Sequence, residues 1–278
     1  MSTTPLADQH DGVLFDLDGV LYRGPEAVPG AQEALSRLKS QGLRCAFVTN
    51  NASRSAEHIA GHLRELGIPA EAEEVYGSAP AGVRLLAEHL PAPAKVLVVG
   101  SDSLRSLVDA AGYETVRSAD DEPEAVLQGF DPTLCWADLA EASYAINAGA
   151  QWFATNLDRS VPRERGIAPA NGAMIEAVSF GTDRHPKAAG KPEPVMFTQA
   201  AETLGLSSPL VIGDRLDTDV LGGNRAGYAT ALVLTGATTQ QQADASQDQQ
   251  RPDWIIDSLE DLFTGVHRAP AGSTNGRA

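Results

Sequence analysis

The chain is poor in cysteine, in long apolar runs and in basic residues. Two cysteines among 278 residues, Cys45 and Cys135, are too few for a disulfide framework. Both lie in apolar sequence surroundings, where reduced, packed thiols are the usual state. No stretch approaches the roughly 18 apolar residues needed to span a bilayer, and the N-terminal run MSTTPLADQHDG has neither a basic nor an apolar region. A cytoplasmic protein is therefore expected. With 21 Lys and Arg against 37 Asp and Glu, the formal charge is -16, which excludes a broad basic footprint for nucleic acid or an anionic membrane. An anionic ligand would need local neutralisation, and a bound divalent cation would provide it. What the chain does have is 42% hydrophobic residues with 26 Gly and 17 Pro, enough for one large or two modest domains.

The apolar pattern alternates between strands and helices. A strand Val13-Leu14-Phe15 runs into the polar turn Asp16-Leu17-Asp18-Gly19. A helix is predicted over 31–40, with Ala34, Leu35 and Leu38 on one face and Gly42 as its stop. The next strand, Leu43 to Val48, delivers Thr49-Asn50-Asn51. Ser53 or Ser55 can then cap a helix carrying Ile59, Leu63 and Leu66 at i, i+4 and i+7. A second alternating series occupies the middle of the chain, with strands at 96–99, near 115, at 125–130 and at 152–154, and helices over 103–111 and 139–148. The first pattern resumes with a helix after Lys191-Pro192, the strand Leu210-Val211-Ile212, the polar run Gly213 to Asp219 and a strand at 231–234. One α/β domain is thus inserted into another, with boundaries expected at 1–81 and 183–278 for the outer domain and 82–182 for the insertion. Gln240 to Gln250 reads as a polar surface loop, and Arg268 to Ala278 has too few apolar residues to pack.

Asp16, Thr49 and Asp214 each follow a short apolar strand in an alternation that predicts a parallel sheet. Ligands bind beyond the carboxyl ends of such strands, so residues far apart in sequence should converge there. Phosphoryl transfer needs a nucleophile, cations to spread charge on the equatorial oxygens and a proton source for the leaving group. Asp16 can attack as a carboxylate and form an acyl phosphate that water hydrolyses. Asp18, two residues on, is the candidate acid and then base, its pKa set apart from that of its neighbour. Oxygen ligands without His or Cys point to Mg²⁺, held by Asp16, Asp214 and the backbone carbonyl of Asp18. Asp219 is expected to orient this shell. The Thr49 hydroxyl and the backbone N–H groups of Asn50 and Asn51 can cradle phosphate, although Asn50 and Asn51 could equally cap the following helix. Lys191 supplies a fixed positive charge to hold Asp16 and the phosphate together.

The segments Asp16-Leu17-Asp18-Gly19-Val20-Leu21, Val48-Thr49-Asn50-Asn51, Gly190-Lys191-Pro192 and Gly213-Asp214-Arg215-Leu216-Asp217-Thr218-Asp219 resemble, in order, the four motifs of the haloacid dehalogenase-like hydrolases. More narrowly, the chain resembles the NagD-like and p-nitrophenyl phosphatase branch over roughly residues 12–262. The resemblance implies a Rossmann-like parallel-sheet core with helices on both faces, an inserted smaller α/β cap domain, Mg²⁺, and an aspartyl-phosphate intermediate on Asp16. It implies roles for Asp18, Lys191 and Asp214 that agree with those read from the residues. Asp16 to Thr49 is 33 residues, too short to house a domain, whereas Thr49 to Lys191 is 142, so the insertion lies between the second and third motifs, as in that branch. Ala154-Thr155-Asn156-Leu157-Asp158, with Pro162, Gly166, Pro169 and Asn171-Gly172, is similar to the cap signature, but Ala170 stands where family members usually carry Gly.

The expected partner is a small-molecule phosphate ester, with glycerol 3-phosphate first by family analogy; a sugar phosphate, phosphoglycolate, pyridoxal phosphate or a nucleotide stay open. Caps of this kind often pair in related proteins, which leaves a homodimer through the cap open. A mutase would carry its cap between the first two motifs. A non-catalytic binding module would have no need of Asp18. His58 and His62 have the i, i+4 spacing of zinc ligands but lack the accompanying glutamate. Arg23, Arg54, Arg215 and Asp217 read as ordinary surface charges.

Overall fold

The computed structural model describes residues 4–52, 54–163 and 165–264. Ser53, one of the two candidate helix caps, and the Arg268–Ala278 tail lie outside them. The chain divides into two compact units, one formed by residues 1–49, 56–76 and 191–278, the other by residues 50–55 and 77–190.

The first unit is built on a six-stranded sheet in the order Trp254–Ile256, Ala229–Val233, Leu210–Gly213, Gly12–Phe15, Arg44–Thr49, Val75–Gly77. The pairings from Trp254–Ile256 across to Arg44–Thr49 are all parallel. Central parallel strands are covered on both faces and therefore read as nearly continuous apolar runs, as Val13-Leu14-Phe15 and Leu210-Val211-Ile212 do; every residue of these two strands is buried. The helix Ala31–Ser40 turns Ala34, Leu35 and Leu38 onto the sheet beside Phe15, Phe47, Leu63 and Ile212. Each such Leu or Phe, fully withdrawn from water, contributes roughly 1.5–3 kcal/mol. Leu66 falls just past the end of the helix Ala56–Glu65 and still packs against this core.

The second unit has its own five-stranded parallel sheet, in the order Lys187–Ala188, Gln151–Ala154, Ala125–Gln128, Lys95–Val99, Glu114–Val116. The helices Trp136–Asn147 and Asn171–Thr182 pack through Ala142, Ala145, Ile146, Ile175 and Val178 onto Leu97, Val126 and Trp152. A hairpin, Ser160–Arg163 with Gly166–Pro169, precedes the second of these helices. Ala170 sits at the start of that helix with φ -115° and ψ -165°, extended backbone open to any residue, so the departure from Gly there carries no strain.

The structure differs from the sequence reading at several points. The second unit takes in residues 50–55 and its inserted segment runs from Gly77 to Gly190, where 82–182 was expected. The helix Ser78–His89 begins four residues earlier than the expected boundary, and Lys187–Ala188 pairs with Phe153–Ala154 as an edge strand; two-residue strands leave no periodicity to read. The Gln-rich segment is not a plain loop: Thr239 caps a helix Gln240–Asp244, and Ala243 is buried against Val220, Leu232 and Ile255. Cys135 is exposed at the head of the helix Trp136–Asn147, whose entry faces solvent with Trp136 also exposed, whereas Cys45 is buried and its thiol is pushed up to about 12 by burial. No helix among the described residues is long and apolar enough to cross a membrane.

Candidate active site

The centre of the first unit's sheet carries the functional side chains. Asp16 directly follows the strand Gly12–Phe15, and its backbone N–H donates to the carbonyl of Ile212 at 2.8 Å. The neighbouring strand ends at Gly213 and delivers Asp214 at the same end of the sheet. Parallel register makes this juxtaposition: Phe15 pairs with Ile212, so residues one and two positions beyond them emerge side by side. A wide π-helical turn, Leu216–Val220, then brings Asp219 back toward the strand end, with Arg215 C=O accepting from the N–H groups of both Asp219 and Val220 at 3.2 Å. Carboxylate oxygens of Asp16, Asp214 and Asp219 come within 4.8 Å of one another.

Lys191 enters this cluster from the start of the segment that leads to the helix Val195–Leu204. Its ammonium donates to Asp16, to Asp219 Oδ1 at 2.7 Å and to the carbonyl of Val48 at 3.1 Å. Three acceptors match the three donors of an ammonium. Asp219 Oδ2 accepts from the Arg215 N–H at 3.1 Å, so both its oxygens are engaged. All three carboxylates offer an oxygen that could hold an ion.

The electrostatics follow from one buried ammonium set among three carboxylates, two of which it bonds. Burial raises the Asp16 carboxyl well above the ordinary range; Lys191 pulls it down, while Asp219 and Asp214 push it further up. Asp214 is pushed up to about 6, first by burial and next by Asp219, against the opposing N–H of Ala237. Burial by itself would lower Lys191, but Asp16 and Asp219 outweigh it and hold the ammonium protonated above its ordinary range. The surplus negative charge and the all-oxygen donor set fit a hard divalent cation.

Of the residues singled out in the sequence, Asp16, Lys191, Asp214 and Asp219 come together. Thr49 ends its strand with a buried side chain. Asp18 is exposed and its carboxylate lies outside the carboxylate cluster, with the Tyr22 hydroxyl 3.5 Å from Oδ2. Asn50 and Asn51 belong with the second unit. Asp217 pairs with Arg215 on the surface at 2.9 Å, and the His62 ring packs edge-on against Tyr22 at 5.1 Å between centroids.

One contributor was not anticipated. The turn Thr235-Gly236-Ala237 wraps Asp214: the Ala237 N–H donates to Oδ2 at 2.6 Å, and the Thr235 hydroxyl donates to the carbonyl of Gly19 at 2.7 Å. A Cβ on Gly236 would collide with the Asp214 carboxylate. The available signal was a small-residue turn at the carboxyl end of another sheet strand, Ala229–Val233.

Comparison with known proteins agrees with this geometry. A haloacid dehalogenase-like hydrolase family model matches residues 13–114, and a second, HAD-hydrolase-like model matches residues 188–262. The D-glycerol 3-phosphate phosphatase of Mycobacterium tuberculosis is 44% identical over 257 residues, covering 92% of this chain and 72% of the relative. Among solved structures, a glycerol phosphate phosphatase from M. tuberculosis in complex with magnesium superposes with a TM-score of 0.90 at 43% identity, covering 94% of this chain and 79% of that one. A 4-nitrophenylphosphatase from Thermotoga maritima follows with a TM-score of 0.84 at 30% identity, covering 92% and 97%. The chain belongs to the haloacid dehalogenase-like hydrolases, within their p-nitrophenyl phosphatase-type branch.

Proposed function

We propose that this chain is a Mg²⁺-dependent phosphatase acting on small phosphate monoesters, with glycerol 3-phosphate as the first candidate substrate. The observation that carries the proposal is the ammonium of Lys191 bonded to both Asp16 and Asp219 beside Asp214. Asp16 attacks phosphorus; the ester oxygen leaves with a proton from Asp18, and an aspartyl phosphate results. Asp18 then takes a proton from water, which displaces the phosphate from Asp16. Lys191 holds Asp16 in line and offsets charge on the transferring group, while Thr49 and the N–H groups of Asn50 and Asn51 receive its oxygens. Mg²⁺, held by Asp16, Asp214 and the Asp18 carbonyl, would supply charge neutralisation on the phosphoryl oxygens.

Two similarities support this reading: the M. tuberculosis relative is named for D-glycerol 3-phosphate, which supports the substrate, and a glycerol phosphate phosphatase structure from M. tuberculosis is a complex with magnesium, which supports the metal. In the same reading the protein is cytoplasmic, and a homodimer forms through the second unit, where Tyr144 and Phe180 stand exposed on two packed helices. Phosphate release from a panel of monoesters, with and without Mg²⁺ and with Asp16→Asn as control, tests the function. Release that ignores the metal or survives the substitution would overturn it.

A further inference from the structure

Within the second unit, Asn50 is held at two of its own atoms. Its backbone carbonyl accepts from Ser78 Oγ at 2.6 Å and from Asn156 Nδ2 at 2.9 Å, and its side-chain amide donates to Asp158 Oδ1 at 2.9 Å. Asn156 is the hub of this knot and is 3% exposed. Its Oδ1 accepts from the Asp158 N–H at 3.2 Å, and its own carbonyl accepts from Asn171 Nδ2 at 2.8 Å, which ties it to the first turn of the helix Asn171–Thr182. The same knot leaves no room for a side chain at position 190: a Cβ on Gly190 would lie 2.8 Å from Asn156 Cβ, from Asn50 Oδ1 and from the Thr155 carbonyl. One cluster therefore fixes the backbone immediately after Thr49 and immediately before Lys191.

The consequence lies in the planarity of the peptide group. The carbonyl of Asn50 and the N–H of Asn51 are parts of one rigid trans unit and point in opposite directions. Two donors converging on that carbonyl therefore set where the Asn51 N–H points. A donor aimed before the reaction starts needs no reorganisation as charge develops on the transferring group.

We propose that Asn156 and Asp158 are positioning residues for phosphoryl transfer, acting through Asn50 to aim the backbone donors that follow Thr49. This rests on the reading of Asn50–Asn51 as the phosphate-holding turn. Asp158 Oδ1 accepts the side-chain amide hydrogen of Asn50, and the Oδ1 of an asparagine can accept the same hydrogen bond. Because the two residues act on the phosphoryl group, the leaving group does not matter to their effect.

The test compares Asp158→Ala, Asp158→Asn and Asn156→Ala on p-nitrophenyl phosphate and on glycerol 3-phosphate, with inorganic phosphate as a competitive inhibitor. Asp158→Ala is expected to lower kcat about tenfold on both esters by the same factor. The inhibition constant of inorganic phosphate is expected to rise in parallel. Asp158→Asn should stay within about twofold of the parent, and Asn156→Ala should reproduce the alanine pattern. A loss confined to KM for one ester would mean that Asp158 touches the leaving group, and would overturn the proposal. So would unchanged kcat with a lowered Tm, or an asparagine variant as impaired as the alanine. Asp158 is only half-buried, so its variants keep the test open should Asn156→Ala fail to fold. A parent enzyme inactive on both esters would overturn the phosphatase reading itself, an outcome distinct from an active parent with indifferent variants.

Discussion

Lys191 donates to Asp219 at 2.7 Å with both side chains almost wholly withdrawn from solvent, 3% and 1% exposed. Removing the cation leaves buried carboxylates with no counter-charge, whereas removing the charge of one carboxylate still leaves Lys191 the other. Lys191→Met should therefore lower kcat at least about a thousandfold and lower stability by about 3 kcal/mol. Turnover assays and urea denaturation of the same preparation check the two effects together.

Asp16→Asn separates chemistry from folding. An amide cannot attack phosphorus, so turnover should fall at least about a thousandfold. Because burial and two neighbouring acids already disfavour the ionised Asp16, the metal-free variant should melt no earlier than the parent at pH 7. A clear fall in Tm in EDTA would contradict this account of the site's electrostatics.

Metal affinity should depend on pH through Asp214, whose carboxyl is pushed up from 3.8 to about 6. Cation and proton compete for the same oxygens, so apparent Mg²⁺ affinity should fall by up to about tenfold for each pH unit below about 6. The stability of the metal-free protein runs the other way. A carboxylate whose pKa is raised by folding disfavours the fold when ionised; that penalty is absent below about 3.8 and complete above about 6, amounting to about 3 kcal/mol. Calorimetric Mg²⁺ titrations at pH 5, 6 and 7.5, with Tm measured in EDTA at each, test both signs.

Gly236→Ala places a methyl group where the Asp214 carboxylate lies. The carboxylate must turn away or the Thr235–Ala237 turn must shift, and either breaks the 2.6 Å bond from Ala237. The expected result is an approximately tenfold or greater rise in the Mg²⁺ concentration needed for half-maximal activity, with the far-UV circular dichroism unchanged.

The Gln-rich helix is held by a single fully buried side chain, Ala243. Ala243→Asp should cost about 2 kcal/mol or more, because it puts an unpaired carboxylate among Val220, Leu232 and Ile255. Chemical denaturation measures it; an unchanged midpoint would show that the helix is dispensable to the fold.

The sequence by itself determined the strand–helix alternation, the two apolar strands that end at Asp16 and Asp214, and the lysine that had to reach them. These were legible because they are local: a four-residue apolar run buried on both faces, followed at once by a polar residue, marks a strand end whatever the rest of the chain does. The extra strand Lys187–Ala188 was not legible, since two residues have no period and only the edge of the Gln151–Ala154 strand gives them a partner. Nor was the Gln-rich helix, where one alanine among polar residues becomes core only because Val220, Leu232 and Ile255 present a surface to it.

The tertiary structure alone decided what each site residue touches. Asp214 is held by Ala237, 23 residues further on, and Asn50 by Asp158, 108 residues further on. Asp158 stands in the cap signature, but no motif says which residue it or Ala237 bonds. Hydrogen-bond partners are set by distances of about 3 Å between chain segments whose spacing depends on strand order and register, and no local pattern encodes those distances.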